Sequence, residues 1–231
     1  MIDGWFGCGN LIHSAAMVVG MYMTRDVEVI SPEETVGEAV RKMSERQIRR
    51  LVVMERGSIV GMVSRRDLVN AFPDHVNPFS PAGAASGESG LPVRRIMTHP
   101  VFAIEHDKPI EQAAQLMIEY DIGSLPVTSG GKLSGIITES DIFRALTEVL
   151  SERGDSVRIT FDLTEGEDAV SFLVETARKN GLSLRTFIAF HDGDRRMGVA
   201  SVHGKRVDAL IAELWKSGHR VESILRSGDE S

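Results

Sequence analysis

Cysteine is almost absent from this chain. Cys8 is the only one in 231 residues, so no internal disulfide can form, and a reducing, cytoplasmic setting is expected. Long apolar runs are missing too, since nothing reaches the roughly 20 residues a membrane helix needs. The start of the chain (Trp5, Phe6, Leu11, Ile12, then Ala15–Val19) is mildly apolar, but no basic residue precedes it, which does not fit a signal peptide. Positive charge is in deficit: 26 Lys and Arg against 33 Asp and Glu leave a formal net charge of −7, and the basic residues form no long block. Sequence-blind binding to nucleic acid or to an acidic membrane needs a positive footprint, so neither is an expected partner.

Catalytic patterns are also lacking. The seven histidines show no metal-ligand spacing, and no metal is expected. His191-Asp192-Gly193-Asp194 is too short for a calcium loop and reads as a hairpin turn. There is neither a P-loop nor a Gly-x-Ser-x-Gly elbow, and no nucleophile–base pair is visible. The chain is not expected to be an enzyme.

What the sequence does hold is a duplication. Moved forward by 74 positions, residues 23–72 fall on 97–146 without a gap. Met23-Thr24 meets Met97-Thr98, Ile30 meets Ile104, Ala39 meets Ala113, Met43 meets Met117, Gly61 meets Gly135 and Asp67 meets Asp141. A repeat present only twice predicts one supersecondary unit packed against its own copy, with two clefts between them. The four repeat-equivalent methionines read as core. Residues 1–20 are read as an N-terminal extension, either a mis-assigned start or a flexible segment.

Within each copy the signals run in the same order. An extended stretch (Val27–Ile30; Val101–Ile104) precedes a helical face at Val36, Ala39, Val40 and Met43, matched by Ile110, Ala113, Ala114 and Met117. Two short strands follow, Leu51–Met54 with Ile59–Val63 and Leu125–Thr128 with Leu133–Ile137, turning at Gly57 and Gly130-Gly131. A second helix starts near Ser64 and Thr138. The copies span 21–72 and 91–150, joined by a Pro-, Gly- and Ser-rich flexible loop at 73–90. A boundary is expected near Ser151–Asp155. Beyond it, Val157 to Leu163 alternate as a strand, a helical face follows to Asn180-Gly181, and two strands are joined across Asp192-Gly193. A second helical face and a last strand at Val221–Leu225 complete a βαββαβ order, the ferredoxin-like plan, over 155–226.

Each copy ends its last strand with one signature: Gly61-Met-Val-Ser64-Arg-Arg-Asp67 and Gly135-Ile-Ile-Thr138-Glu-Ser-Asp141. A hydroxyl and a carboxylate on the first turn of a helix can accept from the vicinal hydroxyls of a ribose. The same spacing is a capping box, which satisfies the helix start by itself. The two roles are compatible.

On these residues, 21–150 resembles the tandem CBS-domain proteins, whose paired arrangement is called a Bateman module. The resemblance implies an α+β pair that holds an adenine nucleotide (AMP, ADP or ATP) or another adenosyl ligand. Ribose would lie at Asp67 with Ser64 and at Asp141 with Thr138. Adenine would lie near Thr24–Val27 and Thr98–Val101, and near Ile48–Leu51 and Ile122–Pro126. The copies differ: Leu125-Pro126-Val127 keeps the family's pattern, where the first copy has Leu51-Val52-Val53. Gly123-Ser124 stands opposite Arg49-Arg50, two arginines that either meet a phosphate or stay solvated or paired with carboxylates. Unequal clefts are expected.

The C-terminal segment resembles an ACT-type regulatory domain by element order. Where that family often has Asp-x-Pro-Gly, this chain has Asp162-Leu-Thr-Glu-Gly166, so pairing across a homodimer is expected ahead of amino-acid binding. The order CBS–CBS–ACT is similar to acetoin-utilization proteins of the AcuB type. The expected function is non-catalytic regulation by an adenosyl ligand, signalled to an unidentified partner enzyme or protein. The alternatives are a ligand-independent dimerisation and interaction module and an amino-acid sensor.

Overall fold

The computed structural model describes residues 17–72, 76–80, 90–150, 156–164 and 168–226. Cys8, most of the 73–90 loop, the boundary at Ser151–Asp155 and Glu165-Gly166 lie outside the described residues. The chain divides into two compact units, one up to Ala145 and one from Leu146.

In the first unit, the first copy comprises α1 (Val19–Tyr22), β1 (Val29–Ile30), α2 (Val36–Glu45), β2 (Arg50–Glu55), β3 (Ser58–Ser64) and α3 (Arg65–Asn70). The second comprises a 3-10 turn (Val93–Arg95), β4 (Ile104–Glu105), α4 (Ile110–Glu119), β5 (Ser124–Ser129), β6 (Lys132–Thr138) and α5 (Glu139–Leu150), whose residues from Leu146 on fall in the second unit. Helix α2 buries Val36, Ala39, Val40 and Met43, and Thr35 caps it. The Glu38 amide donates to Thr35 Oγ1 at 3.2 Å, and the Thr35 amide to Glu38 Oε2 at 2.7 Å. Helix α4 buries the matching Ile110, Ala113 and Met117. Each copy builds a three-stranded sheet, β1-β2-β3 or β4-β5-β6, in which a parallel first strand joins an antiparallel hairpin. The hairpins turn through Arg56-Gly57 (φ 49° and 82°) and Gly130-Gly131 (φ 58° and 78°). Those positive angles give a twist that matches the strands. Even the irregularity after Val53 recurs after Val127.

The extended stretches expected at Val27–Ile30 and Val101–Ile104 are shorter as strands, because the chain ahead of them crosses to the other copy. Thr24 pairs with Ile136 of β6, with both N–H···O distances 2.9 Å, and Thr98 pairs with Met62 of β3 at 2.8 and 3.1 Å. The exchange reaches further back. Val19 donates to the Lys108 carbonyl and Val93 to that of Glu34. Each of these valines is fully buried in the core of the opposite copy. The structural repeat therefore begins at Met17 and Leu91, earlier than residue matching placed it. Met23 lies over Gly135 and Met97 over Gly61, where a Cβ would stand 2.4 and 2.5 Å from the sulfur.

The second unit runs β7 (Ser156–Asp162), α6 (Asp168–Lys179), β8 (Ser183–Asp192), β9 (Arg195–His203), α7 (Val207–Ser217) and β10 (Val221–Arg226). Its four strands lie in the order β10-β7-β9-β8, all antiparallel. Val157, Ile159 and Phe161 alternate into a core with Leu173, Ala200, Val202, Leu210 and Leu214. Helix α6 ends at Asn180-Gly181 as expected, with Gly181 at φ 68°. The β8–β9 turn is Gly193-Asp194, one residue later than expected, because Asp192 pairs with Arg195. At the end of β7, the Asp162 side chain is 6% exposed. Hydrogen bonds from Thr164 and then Arg195 hold its pKa at about 2, below the ordinary 3.8.

Two outcomes follow from these contacts. A Cβ at Gly135 would also stand 2.9 Å from the Thr24 carbonyl, a backbone atom, whereas the neighbours at Gly61 are all Met97 side chain. Gly135→Ala is therefore expected to cost about 1–3 kcal/mol in urea unfolding and Gly61→Ala distinctly less; equal losses would contradict the closer backbone approach at Gly135. The Asp162 carboxylate contributes stability above the unfolded pKa near 3.8, and that contribution is lost as pH falls towards 2. Amide exchange in β7 should accelerate over that range, and Asp162→Asn should remove most of the pH dependence.

Candidate functional site

The two signatures fold as capping boxes, and their acids then diverge. At the start of α3, the Ser64 amide and hydroxyl donate to Asp67 Oδ2 at 2.7 and 2.6 Å, and the Asp67 amide donates back to Ser64 Oγ at 3.3 Å. The other oxygen, Oδ1, has no partner among the described residues, and Asp67 is half-buried. At the start of α5, Thr138 donates to Asp141 Oδ2 at 2.9 Å from its amide and 2.7 Å from its hydroxyl. There Oδ1 is taken as well, by Arg144 Nη2 at 3.1 Å, and the Asp141 side chain is 5% exposed. The residue equivalent to Arg144 in the first copy is Asn70. One arginine thus closes the second acid and leaves the first open.

Asp67 faces a cleft of about 610 Å³ between the two copies. Of the residues singled out in the sequence, the first copy contributes Arg49, Arg50, Ser64 and Asp67. From the second come Thr98, Val101, Ile122, Gly123, Ser124 and Thr138. The remainder lie elsewhere. Thr24 pairs with Ile136 and does not line this cleft, and Val27 sits half-buried ahead of β1. Ile48 packs on the first copy's core, Pro126 is buried in β5, and Asp141 is closed as described.

Among the lining residues not picked out by motif are Arg65, Arg66, Glu139 and the pair Phe102–Tyr120. The first three occupy the two positions inside the signatures, so the signal was the contrast between Ser64-Arg-Arg-Asp67 and Thr138-Glu-Ser-Asp141. Phe102 and Tyr120 stack with centroids 3.8 Å apart and planes at 22°. Their equivalents in the first copy, Glu28 and Arg46, form an ion pair at 2.8 Å instead. Only one of the two repeat-related surfaces is aromatic.

The arginines are positioned by the fold. Arg50 opens β2 opposite Ser64, and its guanidinium reaches the second copy. A Cβ on Gly123 would stand 2.6 Å from Arg50 Nη2 and 2.9 Å from Glu139 Oε2, so glycine leaves the room that Arg50 fills. Burial pushes the Arg50 guanidinium below its ordinary pKa, and the Glu139 charge opposes that shift. Arg65 lies over the Phe79 ring, 3.9 Å from its centroid. Among the described residues no group of three or more His, Cys, Asp or Glu is placed to hold a metal, and no helix is long and apolar enough to cross a membrane.

Comparison with known proteins supplies the family. Residues 19–74 and 93–148 each match the CBS domain. An uncharacterised protein of Methanocaldococcus jannaschii is 36% identical over 132 residues, 55% of this chain and 31% of its own length. One from Thermofilum pendens is 35% identical over 128 residues, 55% of this chain and 43% of its own. An uncharacterised 17.7 kDa protein of Acidianus ambivalens is 31% identical over 136 residues, 58% of this chain and 76% of its own. The chain thus spans less than half of the first two. Among solved structures, an acetoin-utilization candidate of Vibrio cholerae is 26% identical, covering 58% of this chain and 93% of that one, with a TM-score of 0.48. CBSX2, solved in complex with AMP, is 28% identical, covering 57% and 97%, with a TM-score of 0.47. Residues 19–74 and 93–148 are a tandem pair of CBS domains, and this part of the chain belongs to the CBS-domain family.

Proposed function

We propose that this protein is a non-catalytic regulator that binds an adenine nucleotide or another adenosyl ligand in the cleft at Asp67. The observation that carries this reading is the convergence, in one cleft, of an aromatic stack, a carboxylate with a spare oxygen and several guanidinium groups. A base, a ribose and a phosphate ask for those three groups in turn. In this reading Asp67 Oδ1 accepts from a ribose hydroxyl while Oδ2 stays on Ser64. The base lies against the Phe102–Tyr120 pair, Thr98–Val101 and Ile122, and Arg49 and Arg50 meet phosphate beside Gly123, Ser124 and Thr138. Asp141, Thr24, Val27, Ile48 and Pro126 make no contact with this ligand.

Because the cleft has walls from both copies, a ligand there favours the arrangement of the pair that it fits best, and regulation is a shift of population towards it. We read the second unit as an ACT-like domain, on the support of its βαββαβ order and strand sequence. Asp162 is already committed to Thr164 and Arg195, which favours pairing of these domains over amino-acid sensing. Helix α5 exposes Phe143, Leu146 and Leu150 along one stripe, which supports a homodimer. The partner is an unidentified enzyme or other protein, and the CBS–CBS–ACT order makes acetoin and related carbon metabolism the setting to test, in the cytoplasm.

Calorimetry on the full chain with AMP, ADP, ATP, NAD and S-adenosylmethionine should find at least one ligand. Its affinity should fall tenfold or more, about 1.4 kcal/mol, in Asp67→Asn and stay near wild type in Asp141→Asn, with melting curves confirming the fold. No binding by any of these, or two variants indistinguishable from wild type, would refute the site. In sedimentation, Phe143→Glu combined with Leu146→Glu should turn a dimer into a monomer; an unchanged mass would remove the stripe from the interface.

A further inference from the structure

The duplication provides an internal control for the charge of the cleft. Arg49, Arg50, Arg65 and Arg66 stand where the second copy has Gly123, Ser124, Glu139 and Ser140. All four cations therefore enter from one side, in a chain whose formal net charge is −7. The acids lining the same cleft are Asp67, Asp121 and Glu139. Asp67 has one oxygen committed to Ser64, and Glu139 converges with Arg50 over Gly123. Among the described residues, Arg49 and Arg66 have no carboxylate at ion-pair distance. The four arginines line one cleft, the Arg49 charge already opposes that of Arg50, and a ligand that spreads negative charge along such a rim relieves that cost with bidentate hydrogen bonds. A single phosphate meets one or two such forks. A chain of phosphates can meet all four.

We propose that the cleft selects a nucleoside polyphosphate, a triphosphate before a diphosphate, over nucleoside monophosphates and over adenosyl ligands that carry no phosphate. Arg49, Arg50, Arg65 and Arg66 bind the phosphate chain, and Glu139 sets the threshold by competing for Arg50. A cationic adenosyl ligand such as S-adenosylmethionine is disfavoured by the same rim. This specificity rests on the adenosyl reading above and refines it.

The test is calorimetry on the full chain, without divalent cations, with ATP, ADP, AMP, 5′-methylthioadenosine and inorganic tripolyphosphate. ATP should bind about tenfold or more tightly than AMP, with an advantage that shrinks as salt is raised. Arg49→Gly with Arg66→Ser, which installs the second copy's residues, should bring ATP to within about threefold of AMP while barely altering 5′-methylthioadenosine. Glu139→Gln should tighten ATP several-fold and leave 5′-methylthioadenosine unchanged. If AMP or 5′-methylthioadenosine binds as tightly as ATP and Asp67→Asn still weakens it, the phosphate selection is wrong and the adenosyl site stands. Tripolyphosphate binding as tightly as ATP would overturn selection of a nucleoside. Absence of binding by every probe would refute the adenosyl site itself.

Discussion

The exchange of leading segments between the two copies is the constraint on which the rest of the first unit depends. Each copy completes the other's core with a fully buried valine, Val19 or Val93, and extends the other's hairpin through Thr24 or Thr98. Neither copy is self-sufficient, because removing either segment would open a core and strand its backbone pairing. The same crossing brings Thr98, Val101 and Phe102 from the second copy to Ser64 and Asp67 of the first. The site is a by-product of how the pair is tied together. In the proposed reading, that is also why a ligand held there biases the relation between the copies.

In the proposed reading, capping and ligand binding share one carboxylate, divided oxygen by oxygen. Oδ2 serves the helix start in both copies at nearly the same distances. Oδ1 decides the rest. In the second copy, Arg144 sits one helical turn along and neutralises a buried acid that would otherwise be costly. In the first copy that position is Asn70, and a half-exposed Asp67 needs no such partner. The motif alone carries no information about this difference, since it ends at the acid.

Periodicity and turn chemistry made most of the fold legible. The helical faces of α2 and α4, both tight hairpins and the βαββαβ order all follow from local patterns, and all are found. What escaped was non-local. Val19 and Gly20 looked like part of an extension because their partners, Lys108 and His106, lie nearly ninety residues away. The strands at Val29 and Ile104 came out short for the same reason: apolar residues before them are drawn to the other copy. Within the site, ten of the residues named from sequence share the cleft. Five do not line it, in keeping with the unequal clefts expected from Arg49-Arg50 against Gly123-Ser124. The signal for that inequality was present at Arg65-Arg66 and Glu139-Ser140, inside the signature.

The pair Phe102–Tyr120 and its counterpart Glu28–Arg46 shows how a duplicated unit can become asymmetric without losing stability. An exposed ion pair contributes about 0–1 kcal/mol, and an aromatic pair about 0.5–1.5 kcal/mol beyond its buried area. Exchanging one for the other at equivalent positions is nearly neutral for folding. For chemistry it is not neutral, since one surface offers charge to water and the other, in the proposed reading, offers a flat apolar face to a base. The same holds for Arg49 and Arg50 against Gly123 and Ser124, where the smaller residues of one copy make space for the longer ones of the other. Asymmetry at the cleft is therefore complementary rather than random: glycine on one side is the condition for arginine to reach across from the other. A second cleft of the same kind would need that arginine and that glycine in each other's places, and the duplication supplies each only once.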